Sequence, residues 1–121
     1  MLKLLPLLLL SLASYCYADI DAKAYVDENK KPDLRSVNGV YLNGVGQGLG
    51  WANYWMKEHG LPPMYCQPDS LPLDGNSYLH MVDRQIEVLQ QHGAGKDVLK
   101  KMSVAYLLQQ ALIESFPCPK K

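Results

Sequence analysis

Three cysteines stand in the 121-residue chain, and the fold is constrained most by which of them can meet. Cys16 lies near the end of a leader-like start. Met1-Leu2-Lys3 is short and positive, residues 4–12 are apolar apart from Pro6 and Ser11, and the segment 13–18 ends in the small Ala18 with another small residue, Cys16, two places before it. A charged start, an apolar middle and a small-residue exit define a secretory signal peptide, read here as residues 1–18 with cleavage after Ala18. The apolar run is far short of the roughly 20 residues that span a bilayer. Lipid attachment at Cys16 would require a small residue before it, and Tyr15 is bulky. With Cys16 removed, Cys66 and Cys118 remain, and an even count in an exported chain predicts a disulfide between them. Closing that loop restricts the unfolded chain by about 4 kcal/mol on the entropy model.

Export also sets the charge. Losing Lys3 leaves 11 basic against 12 acidic residues, a formal charge of −1 with neutral histidines. No basic patch dominates, so nucleic acid and anionic membrane surfaces are not expected partners of the mature chain, which is placed in the periplasm. The remaining 103 residues make one domain, and a domain of that size buries only about two-thirds of its unfolded surface, so a covalent tie has value.

Residues 19–33 are rich in charge (Asp21, Lys23, Asp27, Glu28, Lys30, Lys31) and are expected to be a mobile arm, with at most a turn or two of helix at Ala22, Ala24, Tyr25 and Val26. The folded domain is expected over 34–121. From 34 to 59 the apolar spacing is helical, and Val37, Tyr41, Val45, Gly48, Ala52 and Trp55 are predicted to face inward. Five glycines inside this stretch each cost about 1 kcal/mol against alanine, so packing must compensate. Gly44/Gly48 and Gly46/Gly50 offer smooth strips for close backbone approach, within the chain or between two copies. Gly60, Pro62 and Pro63 stop the helix. A proline-rich loop carries Cys66, and Asp74 or Asn76 can cap a second helix. There Leu79, Val82, Ile86 and Leu89 form an apolar stripe flanked by Tyr78, Met81 and Val88. After the His92-Gly93-Ala94-Gly95 break, a third helix is predicted over 96–116, with Val98, Met102, Ala105, Leu108, Leu112 and Phe116 inward. No strand-like alternation occurs. The expectation is an all-α fold, a small compact bundle of three to four helices with one disulfide.

The run from Gly44 to Gly50 lacks the spacing of a dinucleotide fingerprint and any Gly-Lys-Ser/Thr, and no strand precedes it. Glu58-His59 lacks zinc-helix spacing. No serine sits in a nucleophile elbow, and no carboxylate pair forms a dyad in apolar surroundings. No catalytic residue, metal ligand or cofactor is therefore expected. Aromatic residues carry the functional signal instead. Trp51, Tyr54 and Trp55 crowd the end of the first helix, and Pro63, Met64 and Tyr65 follow. Large rings dominate both cores and interfaces. One of the two tryptophans is assigned to the core and Tyr54 to the surface. The candidate partner interface is Tyr54, Trp55, Pro63, Met64, Tyr65 and His92, and the candidate contact loops are 60–65 and 92–96.

Three features occur in fixed order: Tyr41-x-x-Gly44-Val45-x-x-Gly48-Leu49, then Cys66-x-Pro68 and an amphipathic helix, then Ala111-Leu112-x-x-x-Phe116-Pro117-Cys118-Pro119. This order resembles the small periplasmic immunity proteins of the Rap/Tai type, which accompany peptidoglycan-amidase effectors of bacterial type VI secretion. The resemblance covers about residues 37–119, and the Phe-Pro-Cys-Pro ending and the Cys-x-Pro are its most specific parts. It implies an all-helical domain with one disulfide, often a homodimer, that binds a cognate secreted hydrolase and blocks its active site. Family members often carry an acidic residue where Gln47 stands, and residues 67–76 are longer and richer in proline here. No toxin-contacting residue carries over. The rival expectation is a helical periplasmic chaperone of the acid-stress kind. An enzyme is disfavoured for want of a catalytic constellation.

Overall fold

The computed structural model describes residues 19–120; the expected signal peptide and Cys16 lie outside the described residues. Five helices follow in order: α1 (Ala22–Glu28), α2 (Pro32–Glu58), α3 (Gly75–Gln91), α4 (Lys96–Leu99) and α5 (Val104–Ser115). The fold is all-α, with no strand among the described residues. A Cys66–Cys118 disulfide closes it, with Cα atoms 4.9 Å apart.

α2 begins with Pro32 in its first turn, where a missing N–H costs nothing, and Asp33 beside the positive end of the helix dipole. It ends in a Schellman turn. Gly60 takes φ 71°, its N–H donates to the Lys57 carbonyl, and the Leu61 N–H donates to that of Met56. α3 ends the same way, with Gly93 at φ 90° and the Ala94 N–H donating to the Leu89 carbonyl. Its start is capped by Asp74, whose carboxylate accepts from the Ser77 N–H at 2.9 Å. That hydrogen bond holds the Asp74 carboxyl below its ordinary range.

The core is built mainly by α3 and α5 against one face of α2. α3 follows the expected stripe: Tyr78, Leu79, Val82 and Ile86 are buried. α2 does not. Its buried residues are Asn38, Gly39, Leu42, Gly46 and Asn53, whereas Val37, Gly48, Ala52 and Trp55 are exposed and Tyr41 and Val45 half-buried. The expected inward face is therefore rotated by about one residue, roughly 100°. Side-chain size explains the rotation. The Tyr78 ring fills the notch at Gly46, where a methyl group would overlap it, and Leu79 closes on Gly39. The notches at Gly39 and Gly46 admit the Leu79 and Tyr78 side chains of α3.

Residues 19–33 are not a mobile arm. Tyr25 is buried at 1% exposure, Ala22 is fully buried, and hydrogen bonds tie the start and middle of the segment to the turn before α5 and to α3. The Ala22 N–H donates to the Met102 carbonyl and the Val104 N–H to that of Ile20, both at 2.9 Å. The Tyr25 hydroxyl donates to Asp83 Oδ1 at 2.8 Å, and Arg35 pairs with Asp83 Oδ2 at 2.9 Å. Burial, reinforced by the Asp83 carboxylate, pushes the Tyr25 phenol well above its ordinary pKa. The charged residues of α1 occupy its outer side, where Lys23 and Lys30 both pair with Asp27. Few contacts suffice to dock so short a segment because two of its residues are wholly buried.

The expected third helix over 96–116 is broken into α4 and α5. Ser103 is extended (φ −70°, ψ 131°) and its hydroxyl caps α5 by accepting from the Tyr106 N–H. The same kink frees the Met102 carbonyl and the Val104 N–H for the arm. The inward set shifts accordingly: Val104, Leu107, Leu108, Ala111 and Leu112 are buried, Val98 is exposed, and Met102, Ala105 and Phe116 are half-buried.

Candidate functional site

The last two turns of α2, the loop after it and the tail after α5 meet in one place. Asn53 makes the junction. It is buried, its side-chain oxygen accepts from the Met64 N–H at 2.7 Å, and its amide donates to the Tyr65 carbonyl at 2.8 Å. A buried amide that satisfies two backbone groups of a loop fixes that loop, since leaving either group unpaired costs about 1–3 kcal/mol. One residue on, the Cys66 N–H donates to the Phe116 carbonyl at 2.8 Å, and the disulfide joins the same two segments. Pro62, Pro63, Pro117 and Pro119 restrict the chain on either side of these ties. The loop is thus held by hydrogen bonds, a covalent bond and restricted φ angles.

A groove of about 680 Å³ lies against this platform. Leu61, Pro62, Pro63, Pro119 and the two cysteines give it apolar walls, Lys57 and Lys120 bring positive charge, and among the described residues no acidic side chain lines it. Beside it the aromatic residues of α2 project outward. Trp51 is 70% exposed, and Tyr54 and Trp55 are each more than half exposed. Trp51 and Tyr54 meet edge to face with ring centres 6.0 Å apart. Trp55 stacks on His59 at 4.1 Å. Such contacts hold amphipathic rings in defined orientations while leaving faces open.

Tyr54 and Trp55 lie on the surface, and Pro63 and Met64 are half-buried on the loop next to them. Tyr65 belongs to the core instead: it is 3% exposed, and burial raises its phenol pKa. Its backbone serves the platform through Asn53, but its ring is not available to a partner. His92 caps the C-terminus of α3. α3 runs from Leu79 at Gly39 to Asp83 at Arg35, toward the N-terminal end of α2, and His92 follows at its far end, away from the loop at Met64. The six candidates therefore do not form one site. Both tryptophans are exposed, against the expectation that one would be in the core.

Sequence reasoning missed Lys57 and Lys120 at the groove, where Leu61 of the expected loop 60–65 also lies, and Val37 and Val40 on the outer face of α2. A signal for the last two was present. Residues 36–56 contain no Asp, Glu, Lys, Arg or His, so both faces of that helix are uncharged, and Asn38 and Asn53 mark the face that packs. Among the described residues, no group of three or more His, Cys, Asp or Glu side chains is placed to hold a metal ion, and no helix is long and apolar enough to cross a membrane. No protein-family model matches the chain, and no curated protein or solved structure matches it either.

Proposed function

We propose that this is a periplasmic immunity protein that binds a cell-wall-degrading, peptidoglycan amidase-like effector of type VI secretion and blocks it by direct contact. The observation that carries this reading is the platform at the end of α2. A loop tied by Asn53 and by the Cys66–Cys118 bond borders an apolar groove whose charged side chains, among the described residues, are two lysines. An inhibitor gains affinity from a surface that is already ordered, because little conformational entropy remains to be lost on binding. The groove suits an apolar segment bearing a carboxylate, and Tyr54 supplies an aromatic anchor on its flank. The resemblance of Cys66-x-Pro68 and Phe116-Pro117-Cys118-Pro119 to Rap/Tai-type proteins points the same way.

The test begins with the neighbouring gene. If it encodes an exported hydrolase, that hydrolase is targeted to the periplasm with and without this protein. Relief of toxicity, association of the purified pair, and at least tenfold weaker association of Lys57→Glu and Leu61→Asp are expected. Absence of both rescue and association would overturn the reading. The exposed apolar face of α2 favours a second reading, a chaperone for acid-unfolded clients. That reading requires the purified protein to suppress client aggregation at low pH.

A further inference from the structure

The groove beside the platform is made by two stretches of chain that come together there. One wall belongs to residues 57–66, at the end of α2 and on its loop; the other is Cys118, Pro119 and Lys120, on the tail after α5. The Cys66–Cys118 bond joins the walls, aided by the hydrogen bond from the Cys66 N–H to the Phe116 carbonyl. The walls are not equally secure. Asn53 ties the loop at Met64 and Tyr65, and the Tyr65 ring is anchored in the core. Among the described residues, no hydrogen bond between backbone groups holds 117–120, and Pro117 and Pro119 have no N–H to offer. The sulfur bridge therefore keeps the tail wall in place. Neither cysteine lies in a helix, each is half-buried, and both line the groove.

We propose that the Cys66–Cys118 bond is a thiol–disulfide exchange site, opened by a small anionic thiol that enters the groove. The incoming thiolate attacks Cys66 Sγ and forms a mixed disulfide, while the bond between the cysteines breaks and Cys118 leaves as a thiolate. Attack falls on Cys66 because the Pro63 carbonyl oxygen lies 3.9 Å from Cys118 Sγ, where it repels an approaching anion. Once Cys118 has taken a proton from water, the same oxygen can accept a hydrogen bond from the new thiol. A second thiol molecule then attacks the reagent sulfur of the mixed disulfide and frees Cys66. The reagent is oxidised to its own disulfide, and its two electrons reduce the protein's bond. Lys57 and Lys120 line the path. Their charges draw the attacking thiolate in and stabilise the leaving one, and among the described residues no carboxylate in the groove opposes them.

Reduction would free the tail wall while the helices keep their packing, so the groove exists in full only in the oxidised chain. Control of effector binding by this step rests on the inhibitory reading; the exchange itself does not.

The chain beginning at Asp19 contains every residue of the described fold and is the material to test. The oxidised protein is treated with mercaptoethanesulfonate, an anionic thiol, and with cysteamine, a cationic one. Hydroxyethyl disulfide, which is neutral, gives the reference rate for each reagent. Relative to that reference, the anionic thiol should reduce the protein about threefold faster or more at low salt, and added salt should erase the preference. The double variant Lys57→Gln, Lys120→Gln should lose it as well. Direct attack needs no unfolding, so the rate should be nearly flat at low urea rather than rise along the full unfolding slope. Acid quenching and peptide mapping should find the mixed disulfide on Cys66. After reduction, the Cys66 amide should exchange with solvent about tenfold faster while helical circular dichroism is kept. A rate that tracks global unfolding, equal reactivity of the two thiols, or a mixed disulfide on Cys118 would each overturn the exchange site as described. Loss of helix on reduction, or an unchanged Cys66 amide, would overturn the release of the tail.

Discussion

The two faces of α2 share one backbone and almost no other property. The inner face carries Asn38, Gly39, Leu42, Gly46 and Asn53; the outer carries Val37, Val40, Gly44, Gly48, Trp51 and Trp55. Counted by hydrophobicity, the outer face would be the buried one. What selects the inner face is fit. Gly46 accepts the Tyr78 ring, and Gly39 meets Leu79 and the backbone at Gly75. Asn38 and Asn53 spend their amides on Asn29 and on the loop at Met64 and Tyr65. Burial of a polar amide is tolerable when its hydrogen bonds are made, and close packing rewards shape over greasiness. The outer face, with more apolar surface and no shape to match within the chain, is left to solvent or to a partner.

Alkali should disturb the inner side most. Tyr25, Tyr65 and Tyr78 are buried around it, and burial raises the pKa of each phenol in the folded state. A raised folded pKa means that the stabilisation is fully present below the unfolded value near 10 and is lost as pH rises through the folded one. Helical circular dichroism and phenolate absorbance should therefore change together in one step above about pH 10. Phenolate formation by these three residues with helix content intact would show that the inner face is looser than described.

Next in size is the tie that both ends of the platform share. Cys66→Ser or Cys118→Ser should lower stability by about 4 kcal/mol, the loop-closure value for a separation of 52 residues. An unchanged melting temperature would mean that the disulfide is not formed in solution. Gly46→Ala then probes fit directly. Its methyl group would overlap the Tyr78 ring, and overpacking of this kind costs about 1–3 kcal/mol, only partly offset by better helix propensity. A denaturant midpoint equal to the parent's would remove size as the reason for the rotation of α2.

The sequence makes the ends of elements legible because single residues decide them. Gly60 before Pro62-Pro63 and Gly93 after His92 supply the positive φ that closes a Schellman turn, and the structure places both there. The α3 stripe was equally plain, since apolar and charged residues separate cleanly around it. The rotation of α2 was not. Periodicity locates an apolar face but cannot rank two uncharged faces of one helix, and the ranking depends on a tyrosine 32 positions away. The docking of α1 rests on Ala22, Tyr25 and two backbone hydrogen bonds, too few residues to outweigh the charges around them. The break before α5 was hidden for a similar reason. Ser103 is an ordinary capping residue, but whether it caps or continues a helix is decided by the arm that pairs with its neighbours. Around the site, Tyr54 lies on the surface as expected, whereas Trp55, which the apolar stripe placed inward, is exposed as well. Proximity in sequence misled for Tyr65, whose backbone lies on the platform while its ring turns into the core.

The smallest predicted effect separates the two faces most sharply, because its sign is reversed. Gly44→Ala and Gly48→Ala meet open space, so each gains helix propensity and loses unfolded-chain entropy without a clash. Each should stabilise the isolated chain by about 0.5–1 kcal/mol, where the same change at Gly46 destabilises. Urea unfolding at low protein concentration reads this gain. A loss of stability in either variant would mean that Gly44 and Gly48 do not face open space.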